Sequence, residues 1–466
     1  MDMNINEILK QPEGRRLEFK GSMPDANGLE KTVIAFSNDA GGDFYLGIQD
    51  NPREIIGIPE EERLKLEEKI CNMIHDNCYP VIHPTISFVP VDGKHLIKVN
   101  VPRGVSLPYY LKAKGKEAGT YIRVGSTNRL ANSEMIAELE RQKHNLSFDS
   151  EIFHEMDLED IPLETLKQQY KEIAGEELTG QVIQKLELIQ TKNGESYPTI
   201  ALILLSDTPI RKRYFPMANI ECARFKGTIP GNFIDQKTID DNLVLQADLA
   251  FQFVKRHISQ GSVDYTGVYR NDRWEYPVVA IREAIRNAII HRDYSLSGQD
   301  IKIAIFDNKI EITSPGKLMP SIDFSNMEAG QSEIRNKVLA PIFQRIGIIE
   351  KWGNGLRIIH EELKNYPGIK FMWLEPGVSF RVVFEITTLE TTLETTKETT
   401  KETTPKVSTR ILQLISENPR ITAIELTETI GNISYDGIWY HLKKLIKLGR
   451  IEHIGPTKDG YWKIVK

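Results

Sequence analysis

The stretch Arg282-Glu283-Ala284-Ile285-Arg286-Asn287-Ala288-Ile289-Ile290-His291-Arg292-Asp293-Tyr294 leaves this chain few choices of local structure. Ile281, Ala284, Ile285, Ala288 and Ile289 recur at helical spacing, so the segment predicts an amphipathic helix laid against a core. Glu283 and Asn287 lie one turn apart on a neighbouring face, where both side chains reach the same small object. A carboxylate can act as base toward a water, and an amide oxygen can help hold a hard cation such as Mg²⁺. Farther on, Trp352-Gly353-Asn354-Gly355-Leu356 lets backbone N–H groups approach phosphate oxygens just before another helix. The plain structural alternative is a buried helix with one ion-paired glutamate, followed by a Gly-rich turn.

A length of 466 residues suits about three domains. The net charge of −6 does not by itself mark a nucleic-acid binder, and 40% apolar with 27% charged residues is ordinary for a globular protein. No run of 18 apolar residues occurs, and Met1-Asp2-Met3-Asn4-Ile5-Asn6-Glu7 lacks a basic-then-apolar signal. Three scattered thiols, Cys71, Cys78 and Cys222, fit neither a zinc site nor a disulfide framework and suit a reducing cytoplasm.

Organisation follows from composition. Residues 387–404 repeat Thr-Thr-(Leu/Lys)-Glu every four residues, too poor in large apolar groups to repay ordering, and read as a linker. Residues 1–145 form a first domain: a helix at Val33-Ile34-Ala35-Phe36, a turn, a buried strand at 44–48, a helix over 60–77, and strands at 85–90, 95–101 and 121–124. Within 150–386, Thr199-Ile200-Ala201-Leu202-Ile203-Leu204-Leu205 reads as a buried strand, 220–225 as another, and 239–257 as a long helix. Ile301, Ile303 and Ile305, then Ile310 and Ile312, alternate about Asp307-Asn308 as a hairpin, and 380–386 supplies a closing strand.

The last segment, 405–466, holds ten Lys and Arg against six Asp and Glu, a local +4 on a chain otherwise at −10. Helices are expected over 407–418, from the Thr422 cap to Gly431, and over 434–448, followed by a hairpin. Three helices and a two-stranded wing resemble a winged helix. The third helix would enter the major groove with Tyr435, Asp436, Tyr440, His441 and Lys444 exposed, and Lys458 on the wing would meet a phosphate or minor groove. A winged-helix protein-interaction module is the alternative.

Two further resemblances rest on motifs. Glu283 and Asn287 with the HRDY extension, then Gly353, Asn354, Gly355 and Leu356, resemble the E-x-x-x-N helix and G-x-G-L phosphate box of the GHKL ATP-binding fold. The resemblance is to its divergent form, joined to Schlafen-type AlbA-like domains in bacterial regulators. It implies ATP and Mg²⁺ as cofactors, Glu283 as general base and Asn287 as Mg²⁺ ligand. The family's D-x-G-x-G box, whose Asp reads the adenine amine, is replaced by Thr313-Ser314-Pro315-Gly316-Lys317-Leu318, leaving Ser314 and Gly316 as cofactor-binding candidates there.

Glu13-Gly14-Arg15-Arg16-Leu17-Glu18-Phe19-Lys20, Ala35-Phe36-Ser37-Asn38 and Gly41-Gly42 through Asp50 resemble the Schlafen AlbA-like domain over about 130 residues. The resemblance implies nucleic-acid binding. In nuclease members it implies a metal-binding acidic trio, here filled by Glu13, Glu18 and Asp50. Three converging carboxylates repel unless a divalent cation or basic groups compensate them; the alternative pairs Glu18 with Lys20 or Arg15. Arg15, Arg16, Lys20, Lys31, Arg123 and Arg129 are candidate phosphate contacts.

The expected fold is α/β multidomain: an AlbA/Schlafen-like α/β domain, a GHKL-like two-layer α/β sandwich and a C-terminal winged helix-turn-helix. The expected function is an ATP-responsive DNA-binding regulator; the alternative is a metal-dependent Schlafen-like nuclease. Expected partners are DNA, RNA as a second nucleic acid, and further copies of the chain in a homo-oligomer, with no membrane. No G-x-x-x-x-G-K-[ST] occurs, so a P-loop motor has no support, and no dimerising phospho-acceptor helix precedes the GHKL-like region.

Overall fold

A computed structural model of the chain describes residues 5–50, 52–264, 271–322, 333–349, 354–387, 407–430, 438, 441–443, 445–446, 450–454 and 461–464. The chain divides into two compact units, Met1–Leu389 and Glu390–Lys466. The linker expected over 387–404 lies, from residue 388 on, outside the described residues.

The first unit is built on a four-stranded and a six-stranded sheet, with small two-stranded ladders beside them. Its N-terminal part is built on β1 (Leu17–Lys20), α1 (Ala26–Asn38), β2 (Gly42–Leu46), α2 (Glu60–Asn77), β3 (Thr85–Val91) and β4 (Lys94–Val101). The strand order is β1-β2-β4-β3, parallel only between β1 and β2, with Glu18 opposite Phe44. Asp25 starts α1 by accepting from the Gly28 N–H, and Leu29, Val33, Ile34, Ala35 and Phe36 bury the helix face. Asn38 ends that helix with its amide saturated: it donates to the Tyr109 and Tyr121 carbonyls and accepts from the Tyr109 N–H. A hairpin, β5 (Tyr121–Val124) and β6 (Thr127–Leu130), and helix α3 (Ser133–Lys143) complete this part.

In the second part, residues 200–205 form a helix, α4 (Ile200–Leu205), where the apolar run predicted a strand. All six residues of α4 are at most 7% exposed. A run apolar on every side carries no period, so it fits a helix buried all round as well as a strand. Strands β7 (Ile220–Phe225) and β8 (Phe233–Ile239) follow, then α5 (Leu243–His257). The helix begins at 243 because Asn242 caps it, accepting from the Val244 N–H while donating to the Leu205 and Ser206 carbonyls.

Next come α6 (Val278–Ile290), β9 (Ile301–Ile305), β10 (Lys309–Pro315), α7 (Leu339–Arg345), α8 (Gly355–Lys364), β11 (Ile369–Leu374) and β12 (Ser379–Ile386). The sheet runs β8-β7-β9-β10-β12-β11, with only β7 and β9 parallel. Helix α6 packs between α5 and α8, and α5 and α6 lie against this sheet, giving the second layer. Ile281, Ile285 and Ile289 from α6 meet Ile303, Ile310 and Ile312 from the strands in one core, each such buried side chain contributing roughly 1.5–3 kcal/mol.

In the second unit, α9 (Val407–Glu417), α10 (Ala423–Ile430) and the hairpin β13 (Ile451–Ile454) with β14 (Tyr461–Ile464) enclose Ile411, Leu426, Leu442 and Trp462. Thr422 and Glu425 form a reciprocal cap at the start of α10. Of the third helix expected over 434–448, residues 438, 441–443 and 445–446 are described, all helical. Among the described residues no helix is long and apolar enough to cross a membrane, and the three cysteines are free thiols.

Candidate functional site

Helix α6 aims Glu283 and Asn287 at the first residue of α8. A Cβ added to Gly355 would lie 2.3 Å from Glu283 Oε1 and 3.0 Å from Asn287 Nδ2, so a side chain there would push the ends of both groups aside. Two motifs 68 or more residues apart are thereby joined at one point, with the N-terminal turn of α8 presenting its unsatisfied amides beside them. Asn354 precedes the helix in a right-handed helical conformation, and Leu356 lies one residue inside it. Gly353 lies outside the described residues.

Asn287, Gly355 and Leu356 line a cavity of about 130 Å³ that also includes Ser314, at the end of β10, and Gly316 just beyond it. Its floor is apolar, from Ala284, Ala288, Ile312, Ile359, Phe380 and Val382. Ser314 is buried and its hydroxyl donates to the Ala288 carbonyl at 2.7 Å, tying β10 to α6. Gly316 has φ +107°, and a Cβ there would come within 2.9 Å of the Asp293 Cβ, so glycine is required.

Beyond His291, which lines the cavity, the HRDY extension holds that turn in place. Asp293 N–H donates to the Pro315 carbonyl, and Tyr294 donates back to the Ile289 carbonyl. Asn336 bridges the Ile290 and Arg292 carbonyls. Burial, with Arg335 close by, pushes His291 down to about 4, so the imidazole on the cavity wall is neutral at physiological pH.

Three charged or polar cavity residues were not singled out from the sequence: His291, Lys317 and Glu333. Lys317 is the most consequential. Its Nζ lies 2.8 Å from Asp39 Oδ2 and 2.6 Å from the Arg123 carbonyl, both on the N-terminal sheet's side of the unit. Arg15 grips the same Asp39 carboxylate with two nitrogens and donates to the Leu318 carbonyl at 2.8 Å. Burial alone would raise the Asp39 carboxyl, but Lys317 and Arg15 outweigh it and hold it at about 2. Arg335 closes the opposite flank, 3.6 Å from Glu138 and 3.5 Å from Asp293.

The N-terminal acidic trio is not assembled as a metal site. Glu18 is buried and paired with Arg123 at 2.7 Å and Lys20 at 2.6 Å. Glu13 accepts from the Phe19 N–H at 2.7 Å, closing the turn into β1, and Asp50 pairs with Arg53 at 2.7 Å on the surface. Among the described residues no group of three or more His, Cys, Asp or Glu is placed to hold a metal ion. Basic side chains compensate Glu18 and Asp50 instead, and Lys20 also lies 3.9 Å from Glu13.

Two of the phosphate-contact candidates are likewise used internally. Arg123 is fully buried, donating to the Gly14 carbonyl and Asn128 Oδ1, and Arg15 is bound to Asp39. Arg16 donates to the Pro320 carbonyl, and Lys31 lies over the Tyr121 ring. Arg129 is exposed, and Lys20 is 38% exposed beyond its pairing with Glu18. In the second unit His441 is half-buried, whereas Tyr435, Asp436, Tyr440, Lys444 and Lys458 lie outside the described residues.

Three family profiles match separate segments of the chain. Residues 13–132 match the Schlafen AlbA_2 family, 298–384 the family described as "Putative ATP-dependent DNA helicase recG C-terminal", and 406–452 a winged helix-turn-helix DNA-binding family. The DIP2311 protein of Corynebacterium diphtheriae is a similar solved structure at 16% identity, covering 99% of this chain and 96% of its own, with a TM-score of 0.42. The N-terminal domain of a RecG-related protein from Nitrosomonas europaea is 25% identical, covering 27% of this chain and 90% of its own, with a TM-score of 0.21. A comparison with curated protein sequences found no match. The architecture expected from the motifs, an AlbA-like segment, an ATPase-like segment and a winged helix, is the one these profiles find.

Proposed function

We propose that this chain is an ATP-responsive DNA-binding regulator of transcription, in which a GHKL-like nucleotide site is coupled to AlbA-like and winged-helix nucleic-acid-binding domains. The observation that carries the reading is the seat of Gly355 against Glu283 and Asn287 at the wall of a largely apolar cavity. An apolar floor suits a base, and an amide beside a helix N-terminus suits phosphate oxygens and their cation. The residues present fit a nucleotide with Mg²⁺: Asn287 would hold the cation, the Gly353–Gly355 turn the phosphates, and Ser314 and Gly316 the wall near the base. Bound nucleotide would supply a triphosphate whose hydrolysis Glu283 is placed to assist by taking a proton from water.

The cavity wall offers Glu333 and Lys317, and no aspartate at the position where the GHKL family reads the adenine amine. Helicase action is not part of the reading, because the sequence contains no P-loop. The nuclease alternative loses its support where Arg123 and Lys20 neutralise Glu18. We also place the protein in the cytoplasm, on its scattered free thiols, and propose a homo-oligomer.

Calorimetry of the full chain with ATP, ADP and GTP in the presence of Mg²⁺ tests the site. Mg²⁺-ATP binding that Asn287→Ala weakens, and turnover that Glu283→Ala lowers more than binding, is the expected result. No heat with any of the three at high protein concentration overturns it. Duplex binding by the full chain should weaken steeply with salt as phosphate contacts release counterions.

A further inference from the structure

Lys317 belongs to two sites at once. The segment from Gly316 to Met319 separates the candidate nucleotide cavity from a second cavity of about 100 Å³, and Lys317 lines both. Its ammonium lies on the far side, held by Asp39 and the Arg123 carbonyl. Asp39 does not depend on that lysine alone, because Arg15 holds both of its oxygens. Withdrawing Lys317 therefore leaves the buried carboxylate paired, which is the condition for a cation that can change partners without stranding a charge. A lysine suits this role, being a compact charge on a flexible four-carbon stem.

What Lys317 holds is a hub. Its contact on the Arg123 carbonyl pins a residue that is fully buried and whose guanidinium reaches three separate elements. Arg123 pairs with Glu18 of β1 at 2.7 Å, donates to the Gly14 carbonyl before β1 at 2.7 Å, and donates to Asn128 of β6 at 2.8 Å. Glu18 in turn pairs with Lys20, and Arg129 neighbours Asn128 on the exposed hairpin. The cavity wall is thus joined by direct contacts to the strand and hairpin that carry the exposed basic residues of the AlbA-like part.

We propose that Lys317 exchanges partners: it is held by Asp39 and the Arg123 carbonyl in the nucleotide-free protein, and by a hydrogen-bond acceptor on the base of a nucleotide when one is bound. The exchange carries nucleotide occupancy to β1 and the β5–β6 hairpin. The inference rests on the nucleotide reading above and names its route of regulation. It operates only through competition, since a ligand shifts an equilibrium by its unequal affinity for the two arrangements. Competition fixes the sign of two substitutions in advance. Removing the competing carboxylate should tighten nucleotide binding, whereas removing the lysine should weaken it and silence the response.

The test uses the full chain as wild type, Asp39→Asn and Lys317→Met. Mg²⁺-ATP affinity is measured by calorimetry, amide hydrogen exchange of residues 13–20 and 121–130 with and without Mg²⁺-ATP, and melting temperature as a fold control. The expected result is faster exchange in those segments when wild type binds. Lys317→Met should then bind about tenfold more weakly with no exchange response, and Asp39→Asn several-fold more tightly. If Asp39→Asn does not fold, Lys317→Met decides by itself. Wild type that binds nucleotide with unchanged exchange in both segments overturns the coupling and leaves the nucleotide site standing, as does a Lys317→Met chain that binds and responds as wild type does. Wild type that binds no nucleotide overturns the site and the coupling together.

Discussion

Glu18 and Glu283 make an instructive pair. Both are buried glutamates in motifs that a sequence reader would assign to chemistry, and the fold treats them oppositely. Glu18 is enclosed by two cations, Arg123 and Lys20, while Glu13 closes the turn into β1 and Asp50 pairs with Arg53. Glu283 sits against Gly355 and on the same helix face as Asn287, two residues that line a cavity. A carboxylate enclosed by two cations is part of the framework. One set beside a metal-competent amide and the start of a helix is positioned for a ligand. The motif is equally good in both places; the partners differ.

The comparison can be broken most sharply at Arg123. If Glu18 is framework, Arg123→Ala leaves a buried carboxylate with one cation and should cost about 3–5 kcal/mol of stability, read by denaturant unfolding. Arg123→Met with Glu18→Leu should recover much of it, because a matched apolar pair strands no charge. A single variant that unfolds like wild type would return Glu18 to the functional column.

The next effect is set by pH. Asp39 is depressed from 3.8 to about 2, so its contribution is fully present above its unfolded pKa and is lost as pH falls from about 4 to about 2. That amounts to about 2–3 kcal/mol, and Asp39→Asn should remove this part of the acid slope. His291 works in a different window. Its folded value of about 4 lies below the ordinary 6.5, so protonation favours the unfolded chain and stability falls as pH drops between about 6.5 and about 4. Discounted for partial exposure, the His291 effect is roughly 1–2 kcal/mol, and His291→Gln should flatten that limb.

A modest cost to stability comes with a large effect on binding at Gly355. Gly355→Ala places a methyl against Glu283 Oε1 and should cost roughly 1–3 kcal/mol through overpacking while abolishing Mg²⁺-ATP binding. Adding Glu283→Ala should restore stability, since the clash is with that side chain. A Gly355→Ala chain of unchanged stability and affinity would show that α6 and α8 do not meet as closely as the site requires.

Much of the local structure was written in the chain. The 3.6-residue spacing of Ile281, Ile285 and Ile289 dictates α6, and with it the one-turn separation of Glu283 and Asn287. Alternation about Asp307-Asn308 dictates the β9–β10 hairpin, and Thr422 with Glu425 the start of α10. These signals are local, and a chain carries local geometry in its residue order. Ile200 to Leu205 shows where that order gives out: with no polar residue to mark a face, only packing on all sides made it a helix. The decisive partners lie farther still. Lys317 meets Asp39 across 278 residues, Arg123 meets Glu18 from another strand, and Gly355 meets Glu283 from another helix. No periodicity encodes such meetings, because charge and shape complementarity act through space. The sequence supplied the carboxylates, amides and glycines; only the tertiary structure decided which carboxylate would be enclosed by two cations and which would sit beside an amide and the start of a helix.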